Sequence, residues 1–145
     1  RMAILAAVET VNANMAATLH AVALCKMADR GQITGAILDG PLAFDNALSL
    51  AAAKTKGINS PVAGLADILL TPDLESGNML AKQLEYLGGA TIAGLVIGTR
   101  VPIILTSRAD GVEARLASCA LAVLQRQALL RAAGQMGTID TAAHA

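Results

Sequence analysis

The sequence contains few aromatic residues and few charges. Among 145 residues there are one Phe, one Tyr and no Trp, and charged residues make up 15% with a formal net charge of +0. The scarcity of aromatic side chains excludes a stacking surface for nucleic-acid bases. The balanced charge excludes a basic nucleic-acid binder or a polybasic membrane-surface protein. In contrast, 54% of the residues are hydrophobic, which excludes intrinsic disorder and predicts a packed core.

Long apolar runs are also missing. The most apolar region, 92–106, is interrupted by Arg100, and no run reaches the roughly 18 residues of a membrane-spanning helix. Residues 1–8 faintly resemble a signal peptide, but Glu9 ends the run early, so a buried strand is the better interpretation. Because the first residue is Arg, we expect that the chain was cut out of a longer one.

Cysteine is the third scarce residue. Cys25 and Cys119 lie far apart, and no CxxC or closely spaced pair of histidines accompanies them. The sequence therefore predicts no zinc or other metal site. Both cysteines occur in Ala- and Leu-rich helical patterns, so we expect buried free thiols in a reducing, cytoplasmic compartment.

Short apolar runs alternate with longer amphipathic ones along the chain, which predicts the order β-α-β-α-β-α-β-β-α. We expect an α/β fold with a three-layer mixed sheet, mainly parallel and covered by helices on both faces, to which a hairpin adds antiparallel pairing. The last segment, 134–145, is predicted to be a flexible tail. The expected strands are 2–8, 34–38, 66–70, 91–97 and 101–106, and the expected helices are 15–30, 39–56, 73–87 and 111–133.

Three polar corners follow predicted strands, at 39–41, 71–78 and 106–110. Ligands of open α/β sheets bind beyond the carboxyl ends of strands. Ser107 and Arg108 in the third corner precede a helix N-terminus, where free N–H groups favour an anion and a guanidinium adds a bidentate partner. The alternative is structural: Glu113 completes a capping box with Asp110, and Arg108 only neutralises nearby acids. Asp110 is expected to cap the helix under either interpretation.

The other polar residues allow more than one interpretation. Lys82, one turn after Asn78, could meet a phosphate, or it could pair with Glu85 or Asn78 on a solvated helix face. Several remaining residues are interpreted structurally: Asp39 as a cap, Asp45 as a helix-surface acid, Asp73 as the cap of the third helix, His20 as a surface or core-edge histidine, and His144 as part of the tail. The sequence contains no GxGxxG, GxxxxGK[ST] or GxSxG motif, so neither a nucleotide-binding loop nor a hydrolase nucleophile is indicated.

These corners also carry a family resemblance, which covers about residues 3–124. The chain resembles the phosphate acetyl/butyryltransferases, and its TSRAD form is most similar to the butyryltransferase branch and to the transferase half of proteins fused to an enoyl-CoA hydratase-like domain. The matching segments, in order, are 39–47 (DGPLAFDNA), 60–64 (SPVAG), 66–70 (ADILL), 72–78 (PDLESGN) followed by Lys82, 94–98 (GLVIG) and 102–110 (PIILTSRAD).

The resemblance implies a reversible reaction in which acyl-CoA and phosphate give acyl phosphate and CoA. CoA is then a substrate, and no cofactor is bound permanently. It also implies a homodimer and a fold similar to isocitrate/isopropylmalate dehydrogenases, with two lobes around a cleft. Residues 1–133 would be the C-terminal part of that domain, and the isolated chain would be incomplete as an enzyme.

The resemblance further implies roles for individual residues. Arg108 would bind the phosphate of the acyl phosphate, and Ser107 would orient or deprotonate the CoA thiol. Asn78, Lys82 and Asp110 are assigned to substrate binding.

Two positions depart from the acetyltransferase branch, which has an aspartate where Ala114 stands and a tyrosine where Ala81 stands; the second difference could leave room for a longer acyl chain. Two alternatives to a phosphate acyltransferase remain: a non-catalytic fragment that binds CoA or mediates dimerisation, and an NAD-linked dehydrogenase of the same fold.

Overall fold

The computed structural model describes residues 1–134, so only Gly134 of the predicted tail falls within it and His144 lies outside. The described chain forms two compact units, which meet in sequence between Leu80 and Ala81. The elements are β1 (Met2–Leu5), α1 (Ala16–Asp29), β2 (Leu38–Leu42), α2 (Phe44–Leu48), α3 (Leu50–Thr55), β3 (Ile68–Leu70), α4 (Leu74–Tyr86), β4 (Leu95–Val96), β5 (Ile103–Ile104) and α5 (Val112–Ala132).

The first unit is built on a parallel sheet with the strand order β2-β1-β3. Met2 of β1 is level with Leu38 of β2 on one side and with Ile68 of β3 on the other. The central strand is apolar throughout because both of its edges and both of its faces are covered, as in other parallel sheets. The core comprises Ala3, Leu5, Leu42, Ala47, Ala53, Val62 and Ala63. The predicted α/β class with a parallel sheet is therefore confirmed.

Glycines end two helices of this unit where the sequence predicts. Gly31 follows α1 with φ +72°, and its N–H donates to the carbonyl of Ala28 at 2.9 Å. The next residue, Gln32, donates to Met27 at 2.8 Å, so the last carbonyls of α1 are satisfied by a Schellman motif. Gly57 ends α3 in the same way, with φ +66°. Only glycine adopts this backbone conformation without a steric penalty.

The second strand and second helix differ from the prediction. The strand expected at 34–38 is wrong, because β2 runs over Leu38–Leu42 and includes the residues that were expected to start a helix. A Cβ on Gly40 would lie 2.7 Å from the carbonyl oxygen of Ile4, so glycine lets β2 approach β1 closely. Pro41 is tolerated because β2 is an edge strand, where a missing N–H costs little. Asp39 is consequently not a helix cap; its carboxylate accepts a hydrogen bond from the Gly40 N–H at 2.9 Å.

The predicted helix at 39–56 is also divided. The chain is extended at Ser49, with φ −115° and ψ 114°, and this residue separates α2 from α3. Its hydroxyl accepts a hydrogen bond from the Ala52 N–H at 3.2 Å and caps α3. Serine favours this position because its oxygen satisfies an otherwise free helical N–H.

The second unit contains the predicted antiparallel hairpin, with Leu95 opposite Ile104 and Val96 opposite Ile103. Its strands are shorter than expected and, within residues 1–134, form a separate two-stranded sheet. The expectation of one mixed sheet is therefore wrong for the described chain. The buried hydroxyl of Ser118 on α5 accepts from the Gly94 N–H at 3.0 Å and donates to the Ala114 carbonyl at 2.7 Å. These bonds tie the hairpin to α5.

The two thiols are free, but they are not both buried. Cys25 is only half-buried and Cys119 is exposed, so the prediction of a buried thiol is met in part by Cys25 and is wrong for Cys119. Cys119 follows the buried Ser118 by one position, which turns its side chain about 100° around the helix. Although α5 is the longest helix, no helix of the described part combines the length and apolarity required to cross a membrane.

Candidate anion-binding corner before the last helix

The corner that follows β5 is a turn closed on itself. The Asp110 N–H donates to the Ser107 carbonyl at 3.2 Å, and the Ala109 N–H donates to the Ser107 hydroxyl at 3.3 Å. Ser107 and Arg108 are exposed in this turn, and α5 begins just beyond it at Val112. The sequence order strand, turn, helix therefore presents a hydroxyl and a guanidinium to solvent side by side.

The largely buried side chain of Asp110 stabilises the turn. Its carboxylate accepts a hydrogen bond from the Ser107 N–H at 2.7 Å, and its side chain is only 7% exposed. Arg115, on the second turn of α5, donates from Nε to the Asp110 backbone carbonyl at 3.1 Å. These contacts join both ends of the turn to the start of α5.

The predicted capping box is wrong. The N-cap of α5 is Gly111, which has no side chain to cap with. Since the helix begins after Gly111, the Asp110 carboxylate turns back to Ser107 instead. Glu113 lies in the first helical turn, where an acid interacts favourably with the helix dipole, and its carboxylate accepts from the Thr91 hydroxyl at 3.4 Å.

Lys82 on α4 already has an acidic partner. Its ammonium donates to Glu85 at 2.6 Å, lies 3.9 Å from the Asp110 carboxylate, and sits 5.5 Å from the centre of the Tyr86 ring. The hydrogen bond to Glu85 raises the pKa of Lys82 above its ordinary value, with smaller contributions from the charges of Tyr86 and Asp110. Of the alternatives predicted for Lys82, pairing with Glu85 is therefore observed, and the same ammonium also approaches the corner.

Arg108 has no acidic partner among the residues that the structure describes. No hydrogen bond or ion pair of its guanidinium is formed with residues 1–134, although Asp110 is two positions away. The alternative in which Arg108 neutralises nearby acids is therefore not observed in the part described. An unengaged, exposed guanidinium can bind a phosphate or carboxylate through two parallel hydrogen bonds.

The remaining candidates lie in the first unit. Asn78 is exposed on the part of α4 that belongs to this unit, and Asp73 caps the helix by accepting from the Ser76 N–H at 2.7 Å, as predicted. This hydrogen bond lowers the pKa of Asp73. His20 is exposed and lines an open apolar cavity of about 400 Å³ together with Leu24 and Leu70, which confirms the prediction of a surface or core-edge histidine.

One polar cluster was missed by the sequence analysis. Lys56 donates to Glu9 at 3.3 Å and to Asp45 at 3.1 Å, and the fully buried Asn46 donates from Nδ2 to Glu9 at 3.2 Å. Glu9 follows β1, and Asp45 and Asn46 follow β2, so the cluster lies beyond the carboxyl ends of two parallel strands. Its contacts join residues 37 and 47 positions apart, which no local sequence pattern reveals.

The donor groups do not assemble into a metal centre in the described part of the chain. Among residues 1–134 no three His, Cys, Asp or Glu side chains are arranged to hold a metal ion. The chemistry that the corner offers is therefore that of a guanidinium, a hydroxyl and backbone N–H groups.

Comparison with known proteins identifies one family. The sequence pattern of the family described as "Phosphate acetyl/butaryl transferase" matches residues 1–123. A phosphate acetyltransferase from Rickettsia prowazekii (strain Madrid E) is 69% identical over 122 residues, which are 84% of this chain and 35% of that protein. A phosphate acetyltransferase from Rhizobium meliloti is 63% identical over 139 residues, which are 96% of this chain and 43% of that protein.

Two further comparisons, with a sequence relative and with a solved structure, agree with this family assignment. A probable phosphate butyryltransferase from Bacillus subtilis (strain 168) is 55% identical over 123 residues, 85% of this chain and 41% of that protein. The crystal structure of a branched-chain phosphotransacylase from Enterococcus faecalis V583 matches with a TM-score of 0.70 at 35% identity, over 86% of this chain and 44% of that chain. The chain thus spans less than half the length of each of these relatives.

Proposed function

Because this chain belongs to the phosphate acetyl/butyryltransferase family, we propose that the full-length protein interconverts acyl-CoA and phosphate with acyl phosphate and CoA. The acyl group is acetyl or butyryl. The observation that carries the proposal is the Ser107–Arg108 turn in a chain that matches the family over residues 1–123. A guanidinium that no residue of 1–134 engages, next to a hydroxyl in a turn before a long helix, suits a phosphate-bearing substrate.

In this proposal Arg108 is a catalytic residue that binds the phosphate of the acyl phosphate. Two parallel N–H···O hydrogen bonds hold the phosphoryl oxygens, and their strength grows as negative charge develops on the leaving phosphate. The CoA sulfur attacks the acyl carbonyl carbon, the bond from that carbon to the phosphate oxygen breaks, and the phosphate leaves with the electron pair of that bond. No covalent enzyme intermediate is needed, since alignment of two bound substrates supplies much of the rate.

Ser107 is the second proposed catalytic residue, and it orients the CoA thiol beside the acyl phosphate. The thiolate is the nucleophile, so the S–H proton must be removed. Ala114 stands where the acetyltransferase branch of the family has an acid, so we assign the proton to an oxygen of the phosphate that leaves. Asn78 and Lys82 are further residues proposed for substrate binding, and Asp110 serves substrate binding from within the Ser107–Arg108 turn.

The proposed architecture follows the relatives. Residues 1–133 form the C-terminal part of a phosphate acyltransferase domain with two lobes around a cleft, similar to isocitrate/isopropylmalate dehydrogenases. The remaining phosphate contacts come from the rest of the protein. CoA enters as a substrate, no cofactor is bound permanently, and the protein acts in the cytoplasm without a nucleic-acid or membrane partner.

The test is thioester formation by the full-length protein from CoA and either acetyl phosphate or butyryl phosphate. Replacing Arg108→Ala should lower kcat/KM by about a hundredfold or more, because it removes the charge that stabilises the leaving phosphate. Arg108→Lys should restore part of the rate, since an ammonium keeps the charge but not the bidentate geometry.

The matched control is Arg126→Ala, which removes an exposed guanidinium from the far half of α5 and should leave the rate unchanged. Normal phosphate-dependent activity in Arg108→Ala would contradict the site. An absence of thioester formation by the unmodified protein with either acyl phosphate would contradict the reaction.

A further inference from the structure

We propose that Asp110 is a positioning residue: its buried carboxylate holds the Ser107–Arg108 turn in one conformation and does not itself touch the substrate. The inference rests on the proposed function, because it concerns how that site is aligned. It specifies how a residue assigned to the substrate-binding region contributes there.

The first support is the pattern of hydrogen bonds. The Ser107 N–H donates to the Asp110 carboxylate at 2.7 Å, and the Asp110 N–H donates to the Ser107 carbonyl at 3.2 Å. The two bonds run in opposite directions across the same four residues, so they close the segment that carries Arg108. The bond from Arg115 to the Asp110 carbonyl, at 3.1 Å, fixes the closed turn on α5.

The second support is burial. The Asp110 side chain is 7% exposed, and burial of a carboxylate is costly unless hydrogen bonds or opposite charges compensate. One oxygen of the Asp110 carboxylate accepts the hydrogen bond from the Ser107 N–H. The other faces the Lys82 ammonium at 3.9 Å, which is too long for a strong hydrogen bond and acts as a Coulombic interaction. The carboxylate is thus engaged within the protein, whereas the neighbouring guanidinium of Arg108 is exposed.

Lys82 supports this arrangement from α4. Its 2.6 Å hydrogen bond to Glu85 fixes the ammonium on the helix, so the positive charge beside Asp110 is held in place. Lys82 therefore places a positive charge beside the Asp110 carboxylate without closing the turn itself. Loss of Lys82 should weaken the turn less than loss of the Asp110 acceptor.

The consequence concerns alignment of the catalytic groups. If the acceptor for the Ser107 N–H is lost, the turn gains alternative conformations and the Arg108 guanidinium is spread over more positions. A displacement of about 1 Å in a positioning element can reduce a rate by about a hundredfold. The loss should appear in kcat more than in KM, because alignment matters most in the transition state.

Two variants of the full-length protein test this. Asp110→Ala removes the acceptor and should lower kcat about tenfold to a hundredfold while KM changes less than about threefold. Asp110→Asn keeps an oxygen that can accept from the Ser107 N–H, so kcat should recover to within about fivefold of the unmodified enzyme. The pH dependence of kcat in Asp110→Asn should be unchanged, since a positioning residue exchanges no proton with the substrate.

The opposite results overturn the inference. If Asp110→Asn is as inactive as Asp110→Ala, or loses a limb of the pH profile, the carboxylate acts directly as a base or ligand. The control is Asp29→Asn, which changes an exposed acid that pairs with Lys26 at 3.3 Å on α1 and should leave kcat and KM unchanged.

A measurement without turnover separates this inference from the proposed function. Amide hydrogen exchange in a peptide spanning 105–110 should accelerate in Asp110→Ala and remain slow in Asp110→Asn. If the unmodified protein forms no thioester but exchange follows this pattern, the proposed function fails while the positioning role stands. If Asp110→Ala leaves exchange and kcat unchanged, the positioning role is wrong.

Discussion

Lys56 connects two acidic residues of the first unit. Its ammonium donates to Asp45 at 3.1 Å and to Glu9 at 3.3 Å. The hydrogen bond from Lys56 lowers the pKa of Asp45 below its ordinary 3.8. The hydrogen bond to Asp45 is also the main cause of the raised pKa of Lys56. All three side chains are partly solvated, so the interaction is weakened by water and salt.

The direction of each shift determines the pH dependence of folding. Asp45 has a lower pKa in the folded than in the unfolded protein, so its contribution to stability is present above the unfolded pKa and is lost as pH falls through the folded pKa. Lys56 has a higher pKa when folded, so its contribution is present below the unfolded pKa and is lost as pH rises through the folded pKa.

Replacing Lys56→Met should therefore bring the pKa of Asp45 back up toward 3.8, because the methionine removes the hydrogen bond and the charge but keeps an apolar stem. An NMR titration of the Asp45 carboxyl carbon measures this midpoint. Lys54→Met on the same helix is the control, since Lys54 forms no ion pair with the described residues. An unchanged Asp45 midpoint in Lys56→Met would contradict the assigned cause.

The residues of the candidate corner were identified from the sequence, but their contacts were not. Ser107 and Arg108 stand out because they follow an apolar strand and precede a helix. The role of Asp110 was misassigned as a helix cap because helix start positions depend on where the turn closes. The spacing of the residues allows the Asp110 carboxylate to face either α5 or Ser107. The backbone of residues 107–111 and the nearby Lys82 ammonium determine that it faces Ser107.

At the scale of elements, β2 shows how a long-range contact overrides a local signal. The DGP segment is typical of a helix start, yet it forms an edge strand because its glycine fits against Ile4 of β1. A Cβ at Gly40 would also lie 2.8 Å from the Ile4 Cβ and 3.3 Å from the Ala21 Cβ on α1. Strand and helix therefore meet at a position that admits no side chain.

Gly40→Ala should consequently lower the free energy of unfolding by about 1–3 kcal/mol, the range expected for overpacking a core. Urea unfolding of the full-length protein and the variant measures the difference. Gly111→Ala is the comparison, because its φ is −71° and a Cβ there would meet nothing within 4 Å, so only a modest loss of N-cap preference is expected. Equal effects of the two substitutions would contradict the steric explanation.

The ends of α1 and α3 behave differently from β2 because their signals are local. Gly31 and Gly57 adopt a positive φ, and their N–H groups donate to carbonyls of the preceding turn. Both the helical pattern and the glycine that follows it are visible in the local sequence, so these helix ends can be predicted. Ser49 interrupts the predicted helix with equally local chemistry, but serine also occurs within helices, so the residue alone did not predict the break.

At the scale of the molecule, the apolar composition is accompanied by many exposed apolar side chains. Leu116 and Leu124 on α5 are 65% and 61% exposed, and Ile97 after β4 is 77% exposed. Exposed apolar surface of this kind is typical of parts that contact another lobe or another subunit. Because the chain spans less than half the length of its relatives, the rest of the protein accounts for this surface as well as a second subunit does, and we propose the homodimer on the family resemblance.

Light scattering of the purified full-length protein measures this directly. We expect a mass twice that of one chain over a wide range of protein concentration, because an interface rich in buried apolar area is stable. A mass equal to one chain at micromolar concentration would contradict the proposed dimer without bearing on the reaction.

The sequence alone determined the α/β class, the order of most elements and two helix ends, and it indicated the pair Ser107–Arg108 as a candidate site, because apolar periodicity and turn residues act over a few positions. The tertiary structure alone decided the strand order β2-β1-β3, the placement of β2 through Gly40, the separate hairpin, the Glu9–Lys56 cluster and the inward turn of Asp110. These features depend on contacts between residues distant in sequence, whose geometry is fixed only when strands pair and side chains compete for the same space.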